Sequence, residues 1–441
     1  MKTQQIYYSI RVAFAALRHR RAANRFQYWD REQIQRYQLC RLQILYDYVS
    51  VRVPYYQELI RKLHIPRPEA LADIRRFPIL NRDELKQQFD RILSHEDKSR
   101  LTREVRTSGS TGQPLRIILN VRVESIFYAL LWRAWNWSGY RLGDRTAILR
   151  GKIFENEQLT QYHPVLRALY VSALHYSDEH LVKIYEKLKN FQPKFIRGYP
   201  STLTLLADWM QRYHQKPLDS VRAISTDSET LLDYQRRKIQ QAFGVKVYDV
   251  YSHWEHIGLA AECKHGRKHI AEELGLLEIL DQNLAPAKPG ETGRLVGTTL
   301  HNFSMPLIRY DFGDLACFAE GPCPCGRQLR QVESIDGRIE DRLWDPDGRA
   351  IIRLQAALKQ SPGIAACQMI QKKIDEIEVR VVKGKGFCER DILNLRHSLQ
   401  RLAGPKMHLR ISFVGEIPPG PNGKVRFVIS KMKGSISEKN A

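Results

Sequence analysis

The stretch Thr107-Ser108-Gly109-Ser110-Thr111-Gly112-Gln113-Pro114 decides the fold of this 441-residue chain. Four hydroxyl residues and two glycines occupy six successive positions, and proline ends the run. Glycines let backbone N–H groups converge and bind an anion, and hydroxyls add donors that rotate toward phosphate oxygens. No Gly-Lys-Ser/Thr follows, so this is not a Walker loop. The stretch predicts a phosphate-binding loop, with a flexible linker as the alternative.

The sequence around this loop predicts a strand on each side of it. A short polar–apolar segment, residues 103–106, precedes the loop, and the β-rich run Leu115-Arg116-Ile117-Ile118-Leu119 follows it. Because a linker would lie between domains rather than inside ordered sequence, this setting favours the anion-binding interpretation.

The segment 145–300 alternates strand-like and helical patterns, which predicts an α/β fold with parallel sheets. The expected strands are Arg145–Leu149, Phe195–Gly198, Val221–Ser225, Val245–Tyr251 and Arg294–Thr299. The expected helices are Asp178–Phe191, Thr202–His214 and Tyr234–Phe243. In such sheets ligands bind at the carboxyl ends of the strands.

The pattern changes after Asp341 and predicts a small α+β domain. Glu376–Val382 and His408–Val414 alternate as strands, and Ile392, Leu395, Leu399 and Leu402 form one helical stripe. We therefore expect a basic N-terminal helix at 1–30, a large α/β domain at 31–338 and a small, mobile C-terminal α+β domain at 339–441.

The composition indicates a basic protein without a nucleic-acid signature. Lys and Arg number 70 against 48 Asp and Glu, which gives a formal net charge of +22. Such a surface suits nucleic acid, anionic lipid or phosphorylated small molecules, but no zinc-finger, helix-turn-helix or RNA-recognition pattern supports the first. Seven thinly spread cysteines, with no secretory signal and no membrane-length apolar run, predict a cytoplasmic protein.

The first helical segment carries an apolar stripe with an arginine fringe. The stripe consists of Ile6, Ile10, Phe14 and Leu17, and no acidic residue precedes Asp30. Such a helix suits peripheral contact with an anionic membrane, here the inner membrane surface. The alternatives are packing on its own chain or on a second subunit of a homodimer.

The loop Thr107–Pro114 resembles the phosphate-binding loop of the adenylate-forming superfamily. The later motifs resemble the branch of phenylacetate–CoA ligases and capsule-biosynthesis adenylating proteins, in order and over nearly the whole chain. The resemblance implies that ATP phosphates are bound by Thr107, Ser108, Gly109, Ser110, Thr111 and Gly112.

A second motif, Asp249–Glu255, resembles the aromatic-Gly-x-Thr-Glu sequence of that superfamily. The resemblance implies that Tyr251 lies against adenine and that Glu255 holds magnesium, for which oxygen ligands are suited. Ser252 and Trp254 depart from the pattern, and Trp254 leaves the phosphate contact at its position in doubt. A solvated surface glutamate is the alternative for Glu255.

Two further motifs resemble the adenosine-binding parts of the superfamily. The resemblance implies that the backbone of Ser228, Glu229 and Thr230 flanks adenine. Met305–Asp314 resembles the Tyr-Arg-Thr-Gly-Asp region, in which the final carboxylate, here Asp314, accepts both ribose hydroxyls. A turn carboxylate that caps its own backbone is the alternative.

The C-terminal motifs resemble the hinge and the catalytic-lysine loop of the superfamily. In Gly337–Asp341 the resemblance implies that Arg338 contacts the nucleotide and that Glu340 is the hinge, where the superfamily usually has Asp or Lys. In Pro418–Arg426 it implies that Lys424 is catalytic, since an ammonium group can follow charge at the α-phosphate. Alone, this loop would read as a hairpin turn with an exposed lysine.

A Cys/His set predicts a structural zinc site. Cys263, His269, Cys323 and Cys325 supply three thiolates and one imidazole, which suit tetrahedral zinc. His265 competes with His269, and free loop thiols remain the alternative to a metal site.

Taken with the resemblance, these features predict an ATP- and Mg²⁺-dependent, AMP-forming ligase. It would activate a carboxylic acid, an aryl acid being one candidate, and pass the acyl group to coenzyme A. Transfer to an amine in capsular polysaccharide biosynthesis is the alternative within this class. A nucleotide-binding homologue without catalysis, and a basic protein that binds membrane or nucleic acid, are the rivals outside it.

Overall fold

The structure is a computed structural model that places the chain in two compact units. One unit comprises Met1–Leu142 and Tyr248–Ile335, and the other comprises Gly143–Val247 and Asp336–Ala441. The described residues are 2–94, 101–106, 115–150, 158–172, 177–338, 343–347, 350–351, 354–358, 361–384, 386–418 and 425–432. The three-domain division expected from sequence stays a prediction.

The helices and strands are as follows. The α-helices are α1 (Lys2–Phe26), α2 (Arg31–Arg52), α3 (Pro54–Leu63), α4 (Arg82–Gln87), α5 (Phe89–Ile92), α6 (Val121–Trp137), α7 (Asp178–Phe191), α8 (Pro200–Arg212), α9 (Asp233–Phe243) and α10 (Glu389–Ala403). Short 3-10 helices are Leu71–Arg76 and Leu354–Leu358. The strands are β1 (Thr102–Arg106), β2 (Arg116–Asn120), β3 (Thr146–Arg150), β4 (Thr160–His163), β5 (Ala168–Ser172), β6 (Phe195–Gly198), β7 (Ala223–Asp227), β8 (Val247–Ser252), β9 (Leu259–Glu262), β10 (Lys268–Ile270), β11 (Gly275–Leu280), β12 (Thr292–Thr299), β13 (Tyr310–Phe318), β14 (Gln331–Arg338), β15 (Leu343–Trp344), β16 (Ala350–Ile351), β17 (Ile364–Lys373), β18 (Glu376–Lys383), β19 (His408–Phe413) and β20 (Val428–Ser430).

Short-range signals in the sequence account for the helix boundaries. The Asp30 side chain accepts from the Gln33 N–H, and the Gln33 side chain accepts from the Asp30 N–H, which forms a capping box at the start of α2. Pro54 occupies the first turn of α3, where its missing N–H costs nothing, and so separates α3 from α2. Asn81 caps α4 by accepting from two N–H groups of its first turn.

The strands on either side of the predicted phosphate loop form an antiparallel pair. β1 and β2 run from Thr102 opposite Asn120 to Arg106 opposite Arg116. The strand–loop–strand prediction is therefore confirmed for the two strands, while the loop itself lies outside the described residues.

The sheet of the second unit is largely parallel, as the sequence predicts. Its strand order is β7-β6-β3-β5-β4. Strands β3, β5, β6 and β7 pair in parallel, and β4 adds an antiparallel edge to β5. Side chains of α7, α8 and α9 share one buried core with these strands. In a parallel sheet the helices that connect successive strands lie on the faces of the sheet and cover them.

The strands after Ser252 differ from the prediction because they are antiparallel. In the first unit the order is β11-β12-β13-β14-β10-β9-β8, and the pairs β8–β9, β9–β10, β10–β14, β11–β12 and β12–β13 are antiparallel. The connections between β8, β9 and β10 span only a few residues. A parallel crossover needs a dozen or more residues, so these strands can pair only as hairpins.

Buried ion pairs join the helices of the first unit to its sheet. Arg133 of α6 is 2% exposed, and it pairs with Glu273 and donates to the Ala23 carbonyl. Glu272 accepts from both Arg31 and Arg330. Removing one partner of such a pair leaves a buried charge uncompensated, so these contacts define how the helices meet the sheet.

The C-terminal part of the second unit contains the predicted α+β elements. Its four-stranded sheet has the order β19-β18-β17-β20, with β17–β18 antiparallel and the outer pairs parallel. Leu395 and Leu399 of α10 are fully buried in its core. Leu232 and Tyr234, from the start of α9, belong to the same buried cluster.

Helix α1 packs on its own chain, but not through the predicted stripe. Tyr8, Val12, Ala16 and Ala23 are buried on the side that contacts α6. Ile10, Phe14 and Leu17 are exposed, and the Ile6 side chain is not among those described. The apolar residues of α1 therefore lie on two faces of the helix. One face is buried against α6, and the other is exposed. No helix in the described part of the chain is long and apolar enough to cross a membrane.

Candidate active site and metal centre

The carboxyl end of β8 brings two predicted nucleotide-binding residues together. The Tyr251 hydroxyl in β8 donates a 2.6 Å hydrogen bond to Oδ2 of Asp314 in β13. Asp314 belongs to a bulge, since Phe312–Asp314 stand opposite Leu295 where the β12–β13 register shifts. Gly313 lies in this bulge with φ 73°, which favours glycine. The adenine and ribose roles of the pair stay predictions.

Glu255 is buried beside His253, so the solvated-surface alternative for this glutamate is wrong. Glu255 is 7% exposed, and its Oε2 lies 3.2 Å from Nδ1 of His253. The Gly258 N–H donates to Nε2 of His253, which assigns the ring proton to Nδ1, facing the carboxylate. A Cβ at position 258 would lie 2.9 Å from Nε2, so glycine permits this approach.

An aromatic stack lies next to Glu255. The ring of His256 stacks on Phe127 of α6, with centroids 3.8 Å apart and planes 4° apart. Burial lowers the pKa of His256 well below its usual value, so this imidazole is neutral. Trp254, which departs from the superfamily motif, is 45% exposed. The residue that follows Glu255 is therefore buried in an aromatic stack, while Trp254, which precedes it, extends toward solvent.

The predicted adenine-flanking loop in the second unit follows β7. Ser228 adopts φ 70°, an uncommon conformation for a residue with a side chain. The Glu229 carboxylate accepts from the Ser201 N–H and Oγ at 3.0 and 2.9 Å, and from the Val425 N–H at 3.1 Å. Thr230 follows this carboxylate in the same loop. Glu229 thus joins the start of α8 to the residue that directly follows Lys424.

A charge cluster beside this loop was not predicted from the sequence. Asp227, 5% exposed at the end of β7, accepts from Arg150 at 2.6 Å and from Arg197 at 3.1 Å. Burial alone would raise the pKa of Asp227, but the two guanidinium groups lower it to about 2. All three residues end or nearly end parallel strands, which is the signal that could have identified them.

The four predicted metal ligands converge. The donor atoms of Cys263, His269, Cys323 and Cys325 all lie within 4.8 Å of one another. The sulfurs of Cys263 and Cys323 are 3.6 Å apart, and Sγ of Cys325 is 3.3 Å from Nε2 of His269. His265 is exposed and lies outside the cluster, so the structure selects His269 as the nitrogen donor.

Two tight turns and one strand produce this convergence. Cys263 follows β9 and starts a turn that contains Gly266 at φ 75°, and β10 then places His269 opposite Ala261. In the second turn, the Gly326 N–H donates to the Cys323 carbonyl. The Nδ1 of His269 faces the Leu329 carbonyl, which leaves Nε2 directed at Cys325. When one ring nitrogen of a histidine binds a metal, a hydrogen bond from the other ring nitrogen to a carbonyl typically orients the ring.

The chemistry of the cluster fits tetrahedral zinc. Zinc–sulfur bonds of about 2.3 Å place tetrahedral thiolates roughly 3.8 Å apart, close to the observed 3.6 Å. Burial lowers the pKa of His269 to about 4, which keeps its ring neutral, and burial raises the pKa of Cys323 to about 12. Without a cation the Cys323 thiol would stay protonated, whereas a bound divalent ion stabilises the thiolate form.

Other predicted site residues lie outside the described residues. They are the loop Thr107–Gly112, the hinge residue Glu340 and Lys424. Arg338 is the last residue of β14, and its side chain is not described. Of the predicted nucleotide residues, the first unit contains Tyr251, Glu255 and Asp314, and the second contains Ser228, Glu229 and Thr230.

Comparisons with known proteins agree with these features. Residues 343–431 match the family described as CapK C-terminal domain. The chain is 26% identical to Protein CapK of Staphylococcus aureus over 89% of this chain and 88% of that protein. It is 25% identical to phenylacetate–coenzyme A ligase of Thermus thermophilus over 91% of this chain and 98% of that enzyme.

The fold is also found among solved structures. The crystal structure of 2-hydroxyisobutyryl-CoA ligase in the postadenylation state aligns with a TM-score of 0.74. The alignment covers 93% of this chain and 92% of that one at 20% identity, which establishes the fold alone. The fold is therefore that of the adenylate-forming CoA ligases. In sequence, the chain is similar to Protein CapK and to phenylacetate–coenzyme A ligases, as its motifs predict.

Proposed function

We propose that this protein is an ATP-dependent, AMP-forming acid ligase that makes an acyl-adenylate and transfers the acyl group to an acceptor. The observation that carries the proposal is the hydrogen-bonded pair of Tyr251 and Asp314, with Glu255 buried in the loop after β8. The alignment with a phenylacetate–coenzyme A ligase over 91% of the chain supports the same reaction class.

The nucleotide contacts follow from the chemistry of the side chains. An ionised Asp314 accepts two ribose hydroxyls, and its bond from Tyr251 orients it for them. Thr107–Gly112 supply N–H and hydroxyl donors for the phosphates. Glu255 would hold magnesium, which neutralises phosphate charge when bound. The Nδ1 atom of His253 faces the Glu255 carboxylate at a distance of 3.2 Å.

The proposed first half-reaction joins two anions. An oxygen of the substrate carboxylate attacks the α-phosphorus of ATP, and the bond to the pyrophosphate oxygen breaks. Charge builds up on the α-phosphate, and Lys424 would stabilise it. In the second half-reaction an acceptor attacks the acyl carbonyl and AMP leaves. Glu340 would act as the hinge between the two steps, and Arg338 would contact the nucleotide.

We propose coenzyme A as the acceptor, because enzymes that match over 91% and 93% of this chain are named coenzyme A ligases. A second candidate rests on the resemblance of the motifs to capsule-biosynthesis adenylating proteins, and residues 343–431 match the CapK C-terminal domain. This candidate is an amine acceptor, giving an amide in capsular polysaccharide biosynthesis.

The test is carboxylate-dependent exchange of pyrophosphate into ATP, screened over aryl and aliphatic acids. A positive acid is then incubated with ATP and either coenzyme A or an amino sugar, and the product is identified by mass spectrometry. A thioester supports the first candidate and an amide supports the second. ATP binding without exchange for any acid would point to a homologue that has lost catalysis and would contradict the proposal.

We further infer that Cys263, His269, Cys323 and Cys325 hold a structural zinc ion. The convergence of their donor atoms within 4.8 Å supports this assignment. Four protein donors leave no coordination position for a substrate, as in structural rather than catalytic zinc sites. Elemental analysis of protein purified without added metal tests the inference, with one zinc per chain as the expected result.

A further inference from the structure

The outward face of α1 is an exposed apolar surface on a helix that is already packed. It consists of Tyr7, Ile10, Phe14 and Leu17, whose residues are 52%, 49%, 67% and 45% exposed. Their spacing of three, four and three residues places them on one side of the helix. Large apolar side chains grouped in this way commonly mark an interaction site.

The other face of α1 fixes how this surface is presented. Tyr8, Val12 and Ala16 are buried, and the Tyr8 hydroxyl donates to Glu124 of α6 at 2.7 Å. The inward face of α1 is therefore already packed within its own chain, and only the outward face is available to a partner. It does not need to turn inward to complete the core of its own chain.

The charges around the outward face are all of one sign. Five arginines follow or flank it, namely Arg11, Arg18, Arg20, Arg21 and Arg25. Residues 2–29 contain no Asp or Glu. Within the described part of the chain, none of these arginines forms an ion pair with a carboxylate, although Arg11 donates to the Tyr7 hydroxyl. The fringe is thus positive and accessible.

We propose that the outward face of α1 binds the surface of an anionic lipid bilayer. The apolar side chains would enter the boundary between headgroups and acyl chains, and the arginines would contact lipid phosphates. Charge decides against a second copy of this chain as the occupant. A symmetric pairing of two such faces would bring one arginine fringe against the other. The proposal is independent of the ligase chemistry, because α1 supplies none of its predicted site residues.

Flotation of the full-length chain with lipid vesicles tests the proposal. We expect binding to phosphatidylcholine vesicles that contain phosphatidylglycerol, and at least tenfold weaker binding to pure phosphatidylcholine. Raising the salt from about 0.1 to about 1 M should release the protein, since the screening length falls from about 10 to about 3 Å. The double variant Phe14→Ser, Leu17→Ser should lose at least tenfold in bound fraction, and Arg18→Gln, Arg21→Gln should bind anionic vesicles like neutral ones.

A matched control variant is Leu393→Ser, which removes an equally exposed apolar side chain, 64% exposed, from α10 and should float normally. All variants should keep the wild-type melting temperature and pyrophosphate-exchange rate without lipid. The proposal is wrong if wild-type protein does not float with anionic vesicles, or if Phe14→Ser, Leu17→Ser floats equally well. It is also wrong if that variant converts a dimer in solution to a monomer, because the face would then be a subunit interface.

Discussion

Strands β8, β9 and β10 carry two different kinds of chemistry at their opposite ends. At one end, Tyr251 lies in β8, and the loop to Glu255 follows that strand. At the other, Cys263 follows β9 and His269 lies in β10. Three of the four cluster ligands are buried and already close together, whereas Asp314 beside Tyr251 remains partly exposed.

We infer from this difference that the two ends of these three strands serve stability and chemistry separately. The Cys/His cluster is built from tight turns whose donors face one another, which suits a permanent cross-link. At the opposite end a residue with a side chain, His256, adopts φ 51°, whereas the left-handed residues in the turns of the cluster are glycines, Gly266 and Gly326. Such backbone conformations are concentrated at functional sites. The predictions below test this division, from the largest expected loss of activity to the smallest.

The largest effect is expected from Lys424→Ala. If Lys424 stabilises charge that builds up at the α-phosphate, its loss should lower kcat for adenylation by about 100- to 1000-fold, with little change in KM for ATP. Transfer from a pre-made acyl-adenylate to the acceptor should stay near normal. Rapid-quench measurement of each half-reaction checks this. Equal slowing of both steps, or of neither, would contradict the proposed mechanism.

A smaller loss is expected from Asp314→Ala. Removing an ionised acceptor of two hydroxyls should raise KM for ATP about 10- to 100-fold in pyrophosphate exchange, with the fold intact. Tyr251→Phe is the graded control, because it removes only the hydrogen bond to Asp314 and should raise KM by less than about tenfold. Normal exchange by Asp314→Ala would remove this residue from the site.

At the opposite end of the strands, the double variant Cys323→Ser, Cys325→Ser should lose stability rather than catalysis. We expect it to lose the bound zinc and to melt about 10 °C lower, while the exchange rate measured well below melting stays within about twofold. Cys40→Ser, at an exposed thiol, should leave both zinc content and melting unchanged. Well-folded wild-type protein without zinc would refute the metal site.

The smallest expected effect is the loss of folding stability when the charge of Asp227, in the second unit, is removed. This effect depends on pH. Because the pKa of Asp227 is lowered from 3.8 to about 2, the ionised form contributes about 2 kcal/mol to folding above pH 4. This contribution is lost as the pH falls from about 4 toward 2. Asp227→Asn should therefore unfold in less urea at pH 7 and show a flatter pH dependence over that window.

The control for this pH measurement is Asp47→Asn. Asp47 pairs with Arg67 at the surface, where both side chains are 51% exposed, so solvent screens the interaction. We expect its unfolding midpoint in urea to change little at either pH. Equal effects of the two substitutions would show that the Asp227 cluster is no more than a surface-like ion pair.

Local patterns predicted much of the fold and part of the site. The bounds of α7 were predicted exactly as observed, because its apolar spacing and the Ser177 cap are local signals. The antiparallel course of the strands after Ser252 was missed because β9, β10 and β11 were not predicted as strands, so the short connections that require hairpins were not recognised. The sequence also could not decide between His265 and His269 as the nitrogen ligand. The pairing of β10 with β9 brings His269 to the thiols, and that pairing is known only from the structure.

Two errors share one physical cause, which is that sequence periodicity does not identify the packing partner. In α1 the stripe of Ile10, Phe14 and Leu17 was noticed, but the opposite face that contacts α6 was not. Likewise, Arg150 and Asp227 are 77 residues apart, so nothing local connects them. The charged pairs that hold strand ends together can be recognised only once the strand order is known.

The first unit consists of two separate segments of the chain, and this affects the order in which parts of the protein can fold during synthesis. Arg133 is buried against Glu273, and 140 residues separate them in sequence. At about 5–20 residues per second, roughly 7–28 s pass between the synthesis of the two. During that interval α6 has neither its buried charge partner nor its sheet, while the whole of Gly143–Val247 is made. We therefore expect Gly143–Val247 to begin folding before the first unit can complete its own folding.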